Sequence, residues 1–194
     1  MTAQESPITS NGFIRDLSVW LRPVLNQPII RRTRRNHAFE HATIHVLAQH
    51  IPNLQIAGRS DGNGFILIGE APTEKIEAAA KEALSRLNKG ERQLALHPNC
   101  GTNLVTTAFL ASVAAMVGFT GTGRFNKWER LPLVMLLMIG AIIFSQPIGM
   151  SLQEHITTDS DMADLEIMSV QQDVYHVPFN GAKVTLHRIK TQST

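Results

Sequence analysis

The chain has 194 residues, of which 43% are hydrophobic, and its formal net charge at pH 7 is +2. This length suits one ordinary domain or a small domain with a membrane element, and so small a net charge gives no support for a nucleic-acid-binding protein. The single cysteine, Cys100, excludes an internal disulfide and leaves the roles of metal ligand, nucleophile or inert thiol. From the order of its segments we predict an α+β fold, in which a small cytosol-facing α+β domain carries an inserted two-helix transmembrane hairpin.

Residues 1–35 are predicted to form an N-terminal arm on a membrane surface. Residues 13–30 are largely apolar but are interrupted by Pro23 and Pro28, and an arginine-rich run follows them directly. Such a segment suits the headgroup layer, where each basic residue contributes about 1 kcal/mol against anionic lipid. A solvated basic linker is the alternative, and no aromatic-rich strand platform for nucleic acid accompanies the run. The predicted lipid-binding residues are Arg31, Arg32, Arg34 and Arg35.

The next segment, "NHAFEHATIHVLAQH" at residues 36–50, opens a predicted α+β domain that extends to residue 101. On a helix that advances 100° per residue, His37, His41 and His45 share one stripe, and Glu40 borders it. Two histidines one turn apart can present nitrogens to one metal ion at about 2.0–2.1 Å. We therefore predict a metal site, with zinc as the expected ion. Hydrogen-bonded core histidines without metal are the alternative.

Residues 37–41 match the pattern H-x-x-E-H, which resembles the inverted zinc-peptidase motif of the inverzincins. The resemblance implies that His37 and His41 bind zinc and that Glu40 is the general base of the metal-bound water. Inverzincins are much larger enzymes, and their third ligand is an acidic residue from a later helix. The candidates for that ligand in this chain are Glu74, Glu77 and Glu82.

A β-hairpin and a helix are expected next. Residues 54–60 and 65–70 have the composition of strands, and the glycines of the intervening Asp-Gly-Asn-Gly permit the positive φ that a tight turn requires. A helix should begin at Pro72 or Thr73 and end near Gly90, because apolar residues recur between them at helical spacing.

The loop "LALHPNCGTN" at residues 94–103 offers two further metal ligands, His97 and Cys100. Without a metal, the loop would be a turn that caps the following helix through Thr102 or Asn103. Four ligands, His37, His41, His97 and Cys100, would close the site and make it structural, whereas three would leave a position for water. Nucleophilic catalysis by Cys100 with His97 is a further alternative.

Residues 102–151 are predicted to form the transmembrane hairpin. Two uncharged apolar runs, residues 104–119 and 131–150, approach the roughly 20 residues that a ~30 Å hydrocarbon core requires. A buried hairpin in a soluble core is the alternative, but so small a domain could hardly cover it. Trp128 stands where an interfacial anchor is expected, and basic residues flank both sides equally. Because no cleavable signal peptide is visible, we place both termini in the cytoplasm.

Residues 152–194 form the predicted C-terminal tail. Its alternating segment around Asn180-Gly181 indicates a second β-hairpin, which would add strands to the same sheet.

The chain as a whole also resembles an uncharacterised bacterial membrane-protein family with a domain of unknown function. The resemblance rests on "RRNHAFEHATIHVL", "AGRSDGNGFILIGE" and "LHPNCGTN", and it covers about residues 31–150. It implies the organisation described above and brings no activity, cofactor or substrate.

Two functions from different classes follow. The first is a membrane-anchored, zinc-dependent hydrolase or peptidase at a bacterial cytoplasmic or internal membrane, which acts on a peptide substrate. The second is a non-catalytic assembly or interaction factor with a membrane protein partner, in which the cluster holds a structural metal or a haem-like cofactor. Both versions require the lipid bilayer as a partner.

Overall fold

The computed structural model describes residues 10–121, 127–176 and 183–193. The helices are α1 (Ser10–Trp20), α2 (Arg22–Leu25), α3 (Pro28–His50), α4 (Thr73–Asn88), α5 (Gly101–Phe119) and α6 (Lys127–Leu152). A 3₁₀ turn at Arg92–Ala95 precedes α5, and a π-helical turn at Gln153–Thr157 follows α6. The strands are β1 (Ala57–Asp61), β2 (Gly64–Ile68), β3 (Glu166–His176) and β4 (Lys183–Gln192).

The chain divides into two units. The helical unit comprises Met1–Leu17 and Pro98–His155, and the α+β unit comprises Ser18–His97 and Ile156–Thr194. The mixture of helices and an antiparallel sheet, together with two long apolar helices, confirms the predicted fold class.

The α+β unit is built on a sheet with strand order β1-β2-β4-β3. Successive residues of a strand point to opposite faces, and along β2 the buried Phe65 and Leu67 alternate with less buried neighbours. Helices α3 and α4 pack on the buried face, where the ring of Phe39 meets that of Phe65 edge-on at a centroid distance of 5.2 Å. One face of the sheet therefore belongs to the core, and the other is open.

The predicted first hairpin is confirmed. β1 and β2 pair from Ala57↔Ile68 to Asp61↔Gly64. Gly64 has a φ of +141°, and a Cβ at this position would collide with the carbonyl oxygen of Ile189. Only glycine fits this corner of the sheet.

The predicted helix after the hairpin is also confirmed as α4, with Pro72 at its N-cap. The side chains on its buried side are apolar, and those of Ile76, Ala80 and Ala83 are fully buried. Gly90, with a φ of +93°, follows the end of the helix. Small alanine side chains allow α4 to lie close to α3.

The N-terminal arm differs from the prediction. The boundary expected at residue 35 falls inside α3, which is one continuous helix from Pro28 to His50. Pro28 occupies the first turn of α3, where proline is favoured because the missing N–H would have no helical partner. The proline therefore starts this helix instead of interrupting it, and the arginine run shares a helix with the histidines.

The C-terminal tail completes the sheet, as predicted. β4 pairs with β2 from Gly64↔Lys190 to Ile68↔Leu186, and it pairs with β3 along its other edge. The predicted turn at Asn180-Gly181 lies outside the described residues.

In the helical unit, α5 and α6 form an antiparallel hairpin. A Cβ on Gly118 would lie 3.2 Å from the Cα of Val134, and one on Gly149 would lie 3.1 Å from the Cα of Asn103. The hydroxyls of Thr107 and Ser145 are hydrogen-bonded at 2.6 Å. Glycines at both ends thus allow close approach, as in packed membrane helices.

Both helices are long and apolar enough to cross a membrane. Only 17% of the most apolar window of Gly101–Phe119 and 11% of that of Lys127–Thr157 are buried. A helix in the core of a soluble protein would be mostly buried, so this exposure agrees with the predicted membrane element.

The start of α5 corrects one prediction. The N-cap is Cys100, whose Sγ accepts a hydrogen bond from the Thr102 N–H at 3.4 Å. Asn103 lies inside the helix, where its amide donates to the Pro98 carbonyl at 2.7 Å and accepts from Gln153 at 2.8 Å. The predicted cap at Thr102 or Asn103 is therefore wrong.

Candidate metal centre

Three histidines on α3 bring their rings to one side of the helix. His37, His41 and His45 occupy successive turns, and the rings of His37 and His41 meet at a centroid distance of 4.4 Å. A ring nitrogen of His37 lies within 4.8 Å of one of His41. Two nitrogens bound to one tetrahedral zinc are about 3.4 Å apart, so small rotations of the two rings would reach that separation.

His97 joins these histidines from the segment that follows the 3₁₀ turn. Its ring centroid lies 4.9 Å from that of His45 and 5.8 Å from that of His41. All four side chains belong to the α+β unit, and we call them the histidine cluster: His37, His41, His45 and His97.

Backbone carbonyls fix the orientation of the three helical histidines. Nδ1 of His37 lies 3.0 Å from the Thr157 carbonyl oxygen, and Nδ1 of His41 lies 2.7 Å from that of Ala95. Nε2 of His45 lies 2.8 Å from the carbonyl oxygen of Leu96.

These hydrogen bonds also fix the tautomers. A carbonyl oxygen only accepts, so the ring nitrogen that faces it must carry the proton and donate. In the neutral ring the lone pair then lies on Nε2 of His37 and His41 and on Nδ1 of His45. Histidines that bind metals typically have this arrangement, with one nitrogen donating to a carbonyl and the other available as the ligand.

His97 is held in its neutral form. Burial, together with the charges of the neighbouring His45 and His41, lowers its pKa to about 4, because a positive charge is unfavourable in a buried site beside other histidines. Neutral imidazole is the form that coordinates metal ions.

Glu40 faces the sheet. Its side chain is 4% exposed, and its Oε2 accepts a short hydrogen bond from the hydroxyl of Ser60 on β1. Its Oε1 lies over Gly58, where a Cβ would collide with it. The predicted general base is thus buried, and its carboxylate is engaged by β1.

The acidic residues considered as a third zinc ligand lie on α4. Glu77 pairs with Lys81 at 2.6 Å, and Glu82 pairs with Arg86 and His50, each at 3.4 Å. Both carboxylates are more than two-fifths exposed, and Glu74 is exposed as well. The geometry of α4 gives the acidic ligand of the inverzincin pattern no support.

Cys100 lies in the helical unit, where it is 7% exposed and caps α5. It lies three positions after His97 along the chain. Its Cα can therefore be at most about 11 Å from that of His97.

Most of the predicted lipid-binding arginines hold the C-terminal segment against α3. Arg34 donates to the carbonyl oxygens of Ile156 at 2.6 Å and Thr158 at 2.9 Å. Arg35 is 2% exposed and pairs with Asp164 at 3.1 Å. Arg31 reaches Asp161 at 3.2 Å, whereas Arg32 lines a cavity.

One buried histidine was not anticipated from the sequence. His187 on β4 is fully buried, and neither ring nitrogen has a hydrogen-bond partner among the described residues. Burial lowers the pKa of His187, although Glu70 raises it in part. The alternation of β4 was the available signal, because it places residue 187 on the same face as the buried Thr185 and Ile189.

Comparison with known proteins identifies a family without assigning a function. An uncharacterized protein of Picosynechococcus sp. (strain ATCC 27264 / PCC 7002 / PR-6) is 34% identical over 139 residues, which cover 64% of this chain and 65% of the relative. The chain thus spans about two thirds of the length of this curated relative. No solved structure matches the chain. The family model "Domain of unknown function (DUF6391)" matches residues 32–170, which include the histidine cluster, so the chain belongs to the DUF6391 family.

Proposed function

We propose that this protein is a membrane-anchored metal-binding protein whose histidine cluster holds one zinc ion. The observation that carries the proposal is the set of hydrogen bonds from three ring nitrogens to backbone carbonyls. Each of these bonds leaves the lone pair of a neutral imidazole on the opposite nitrogen, and such outer partners orient histidine ligands in known metal sites.

The chemistry of the donors favours zinc. Imidazole suits zinc, copper, iron and nickel, and a compact site of neutral nitrogen donors is typical of tetrahedral zinc. The depressed pKa of His97 keeps this ring neutral at physiological pH. Cys100 is a further candidate ligand, because the chain keeps it near His97 and a thiolate binds zinc strongly.

The membrane anchor is part of the proposal. The two long apolar helices would cross the bilayer, and apolar side chains ahead of the cluster would contact its surface. Trp20 is 77% exposed and Ile29 is 68% exposed. Such side chains suit the interface between headgroups and acyl chains.

Metal content tests the proposal directly. The full chain, purified in detergent without chelator, should carry about one zinc ion. His41→Ala should retain less than about a tenth of it, since each ligand contributes strongly to a four-coordinate site. His50→Ala is the matched control, because His50 lies at the end of the same helix, is exposed and pairs with Glu82. Wild type without bound metal, or equal loss in both variants, would overturn the proposal.

Hydrolysis is the second candidate, and the buried Glu40 within H-x-x-E-H favours it. As a general base, Glu40 would take a proton from metal-bound water. Its engagement by Ser60 favours a positioning role in a non-catalytic site instead. Glu40→Gln distinguishes the two: a peptidase keeps its zinc and loses cleavage of a fluorogenic peptide library. A non-catalytic protein shows no cleavage in the zinc-loaded wild type.

A further inference from the structure

A polar cavity of about 600 Å³ lies in the α+β unit, at the edge of the sheet near the β1–β2 turn. Three cations line it: Arg32 from α3, and Arg188 and Lys190 from β4. Its volume is in the range of small-molecule sites. None of the proposed zinc ligands lines it, so it is separate from the histidine cluster.

Asn36, one turn along α3 from Arg32, holds this part of the helix against the ends of two strands. The amide of Asn36 donates to the Asp61 carbonyl at 2.8 Å, and its oxygen accepts from the Thr191 hydroxyl at 2.6 Å. Asn36 therefore fastens α3 both to the end of β1 and to the end of β4. Since residues four apart lie on the same face of a helix, Arg32 lies on the side of α3 that faces these strand ends, where Asp61 and Thr191 also line the cavity.

The pairing of β2 and β4 locates the two cations that the sheet contributes to the cavity. Lys190 pairs with Gly64, and Arg188 pairs with Ile66, so both cations lie close to the end of β4 that Asn36 holds against α3. Gly64 has no side chain, and its positive φ makes any replacement strained. Gly64 therefore contributes only backbone atoms to the lining of the cavity.

The positive charge of the side chains that line the cavity exceeds their negative charge. Among the residues that the structure describes, neither Arg32, Arg188 nor Lys190 forms an ion pair, although other arginines of α3 do. The one carboxylate in the lining, Asp61, accepts from the N–H of Asn63 at 2.7 Å and so faces its own turn.

Arg32 adds an independent observation. Its Nε is buried and has no hydrogen-bond partner in the described part of the chain. A buried donor without a partner costs free energy, and a ligand oxygen would satisfy it. Guanidinium groups match the oxygens of phosphate with two parallel hydrogen bonds.

We propose that this cavity binds a phosphate group, with Arg32 as the central contact and Arg188 and Lys190 as flanking charges. Two sources supply this chemistry: inorganic phosphate and the headgroup of an anionic phospholipid. The site does not depend on the proposed zinc ion.

Isothermal titration calorimetry on the full chain in dodecyl maltoside tests the proposal at low ionic strength. The probes are inorganic phosphate, dihexanoyl phosphatidylglycerol and, as the zwitterionic reference, dihexanoyl phosphatidylcholine. Arg32→Gln and Lys190→Gln should each weaken binding of the anionic probe roughly tenfold or more, as expected for a charged hydrogen bond. Arg59→Gln is the matched control, since Arg59 lies on the same sheet but does not line the cavity.

The probes that bind identify the source of the phosphate group. Binding of phosphatidylglycerol alone supports a lipid headgroup, and binding of inorganic phosphate supports a free anion. Failure of both probes to bind, or equal weakening by Arg59→Gln, overturns the site. Should Arg32→Gln fail to fold, the exposed Lys190→Gln still gives the answer. His41→Ala should leave phosphate binding unchanged, so failure of the zinc proposal is separable from failure of this one.

Discussion

The histidine rings are oriented by groups that are far away in the sequence. Carbonyls of Ala95 and Leu96 lie 54 and 51 positions from the histidines they contact, and that of Thr157 lies 120 positions away. The spacing of His37, His41 and His45 was sufficient to predict a common stripe, because helical geometry is local. The tautomers could not be predicted, since they depend on tertiary contacts with backbone groups that carry no sequence signal.

His187 provides a prediction about pH and stability at the same scale. Its pKa is lowered in the folded protein, chiefly by burial, so the unfolded chain binds the proton more readily. Above the unfolded pKa of about 6.5, protonation of His187 therefore takes nothing from the free energy of unfolding. As the pH falls from there toward the folded pKa, the free energy of unfolding decreases. Replacement by a residue of similar size that cannot be charged should remove this loss.

We expect His187→Leu to raise the free energy of unfolding by about 1 kcal/mol or more at pH 7, because two buried nitrogens without partners disappear. The advantage over wild type should grow at pH 5. Thermal unfolding in detergent at both pH values measures this, with the exposed His50→Leu as the control. A parallel pH dependence in wild type and His187→Leu would contradict the assignment.

Among the elements, α3 organises the whole α+β unit. His41 and His45 face the segment around Ala95. Glu40 faces β1, and the arginines of α3 hold the chain that follows α6. An isolated helix with this many buried polar groups would be unstable, so each group needs its partner from another element. This explains why α3 carries Arg35 and Asn36 almost fully buried next to the apolar Ala38 and Phe39.

Arg35 supplies the prediction for this element. Its side chain is 2% exposed and pairs with Asp161 and Asp164, so its removal leaves a buried space and takes one cation away from each carboxylate. We expect Arg35→Ala to lower the free energy of unfolding by about 2 kcal/mol, chiefly because the packing of a buried side chain is lost. Arg31→Ala should cost less than about 1 kcal/mol, because Arg31 is 41% exposed.

Denaturant unfolding in detergent, followed by circular dichroism, measures both values. Equal effects of the two substitutions would show that the C-terminal segment is not held through Arg35. A larger effect of Arg35→Ala than of Arg31→Ala would show that the arginine run anchors the C-terminal segment to α3. The sequence alone did not indicate this role.

The elements that the sequence predicted well are those with local signals. The first hairpin follows from Asp-Gly-Asn-Gly, and α4 follows from its apolar spacing and Gly90. The start of α3 was missed because Pro28 can either break a helix or begin one, and only the surrounding structure decides which. The partners of the arginine run were missed because the acidic residues they bind lie more than a hundred positions away.

At the scale of the whole molecule, the sheet constrains the path of the chain through a membrane. β2 precedes α5, and β4 follows α6, yet the two strands pair over Gly64↔Lys190 to Ile68↔Leu186. Paired strands must lie on the same side of a bilayer, because backbone groups of an open sheet cannot be satisfied in hydrocarbon. Any crossings of a bilayer between the two strands must therefore be even in number, as they would be in the proposed hairpin of two spanning helices.

This argument predicts that α4 and β4 share one side of the membrane and that the start of α6 lies on the other, and the expected cytoplasmic termini place the shared side in the cytoplasm. In a Cys100→Ser background, where serine can still cap α5, single cysteines replace Lys75 on α4, Lys183 on β4 and Glu129 at the start of α6. All three native side chains are exposed. A membrane-impermeant maleimide should label Glu129→Cys in intact cells, and it should label Lys75→Cys and Lys183→Cys only after permeabilisation.

Opposite behaviour of the positions on α4 and β4 would contradict the paired sheet, whereas labelling of all three from one side would contradict the spanning hairpin. Labelling of the α4 and β4 positions alone in intact cells would keep the hairpin and reverse the orientation, placing the histidine cluster outside the cytoplasm.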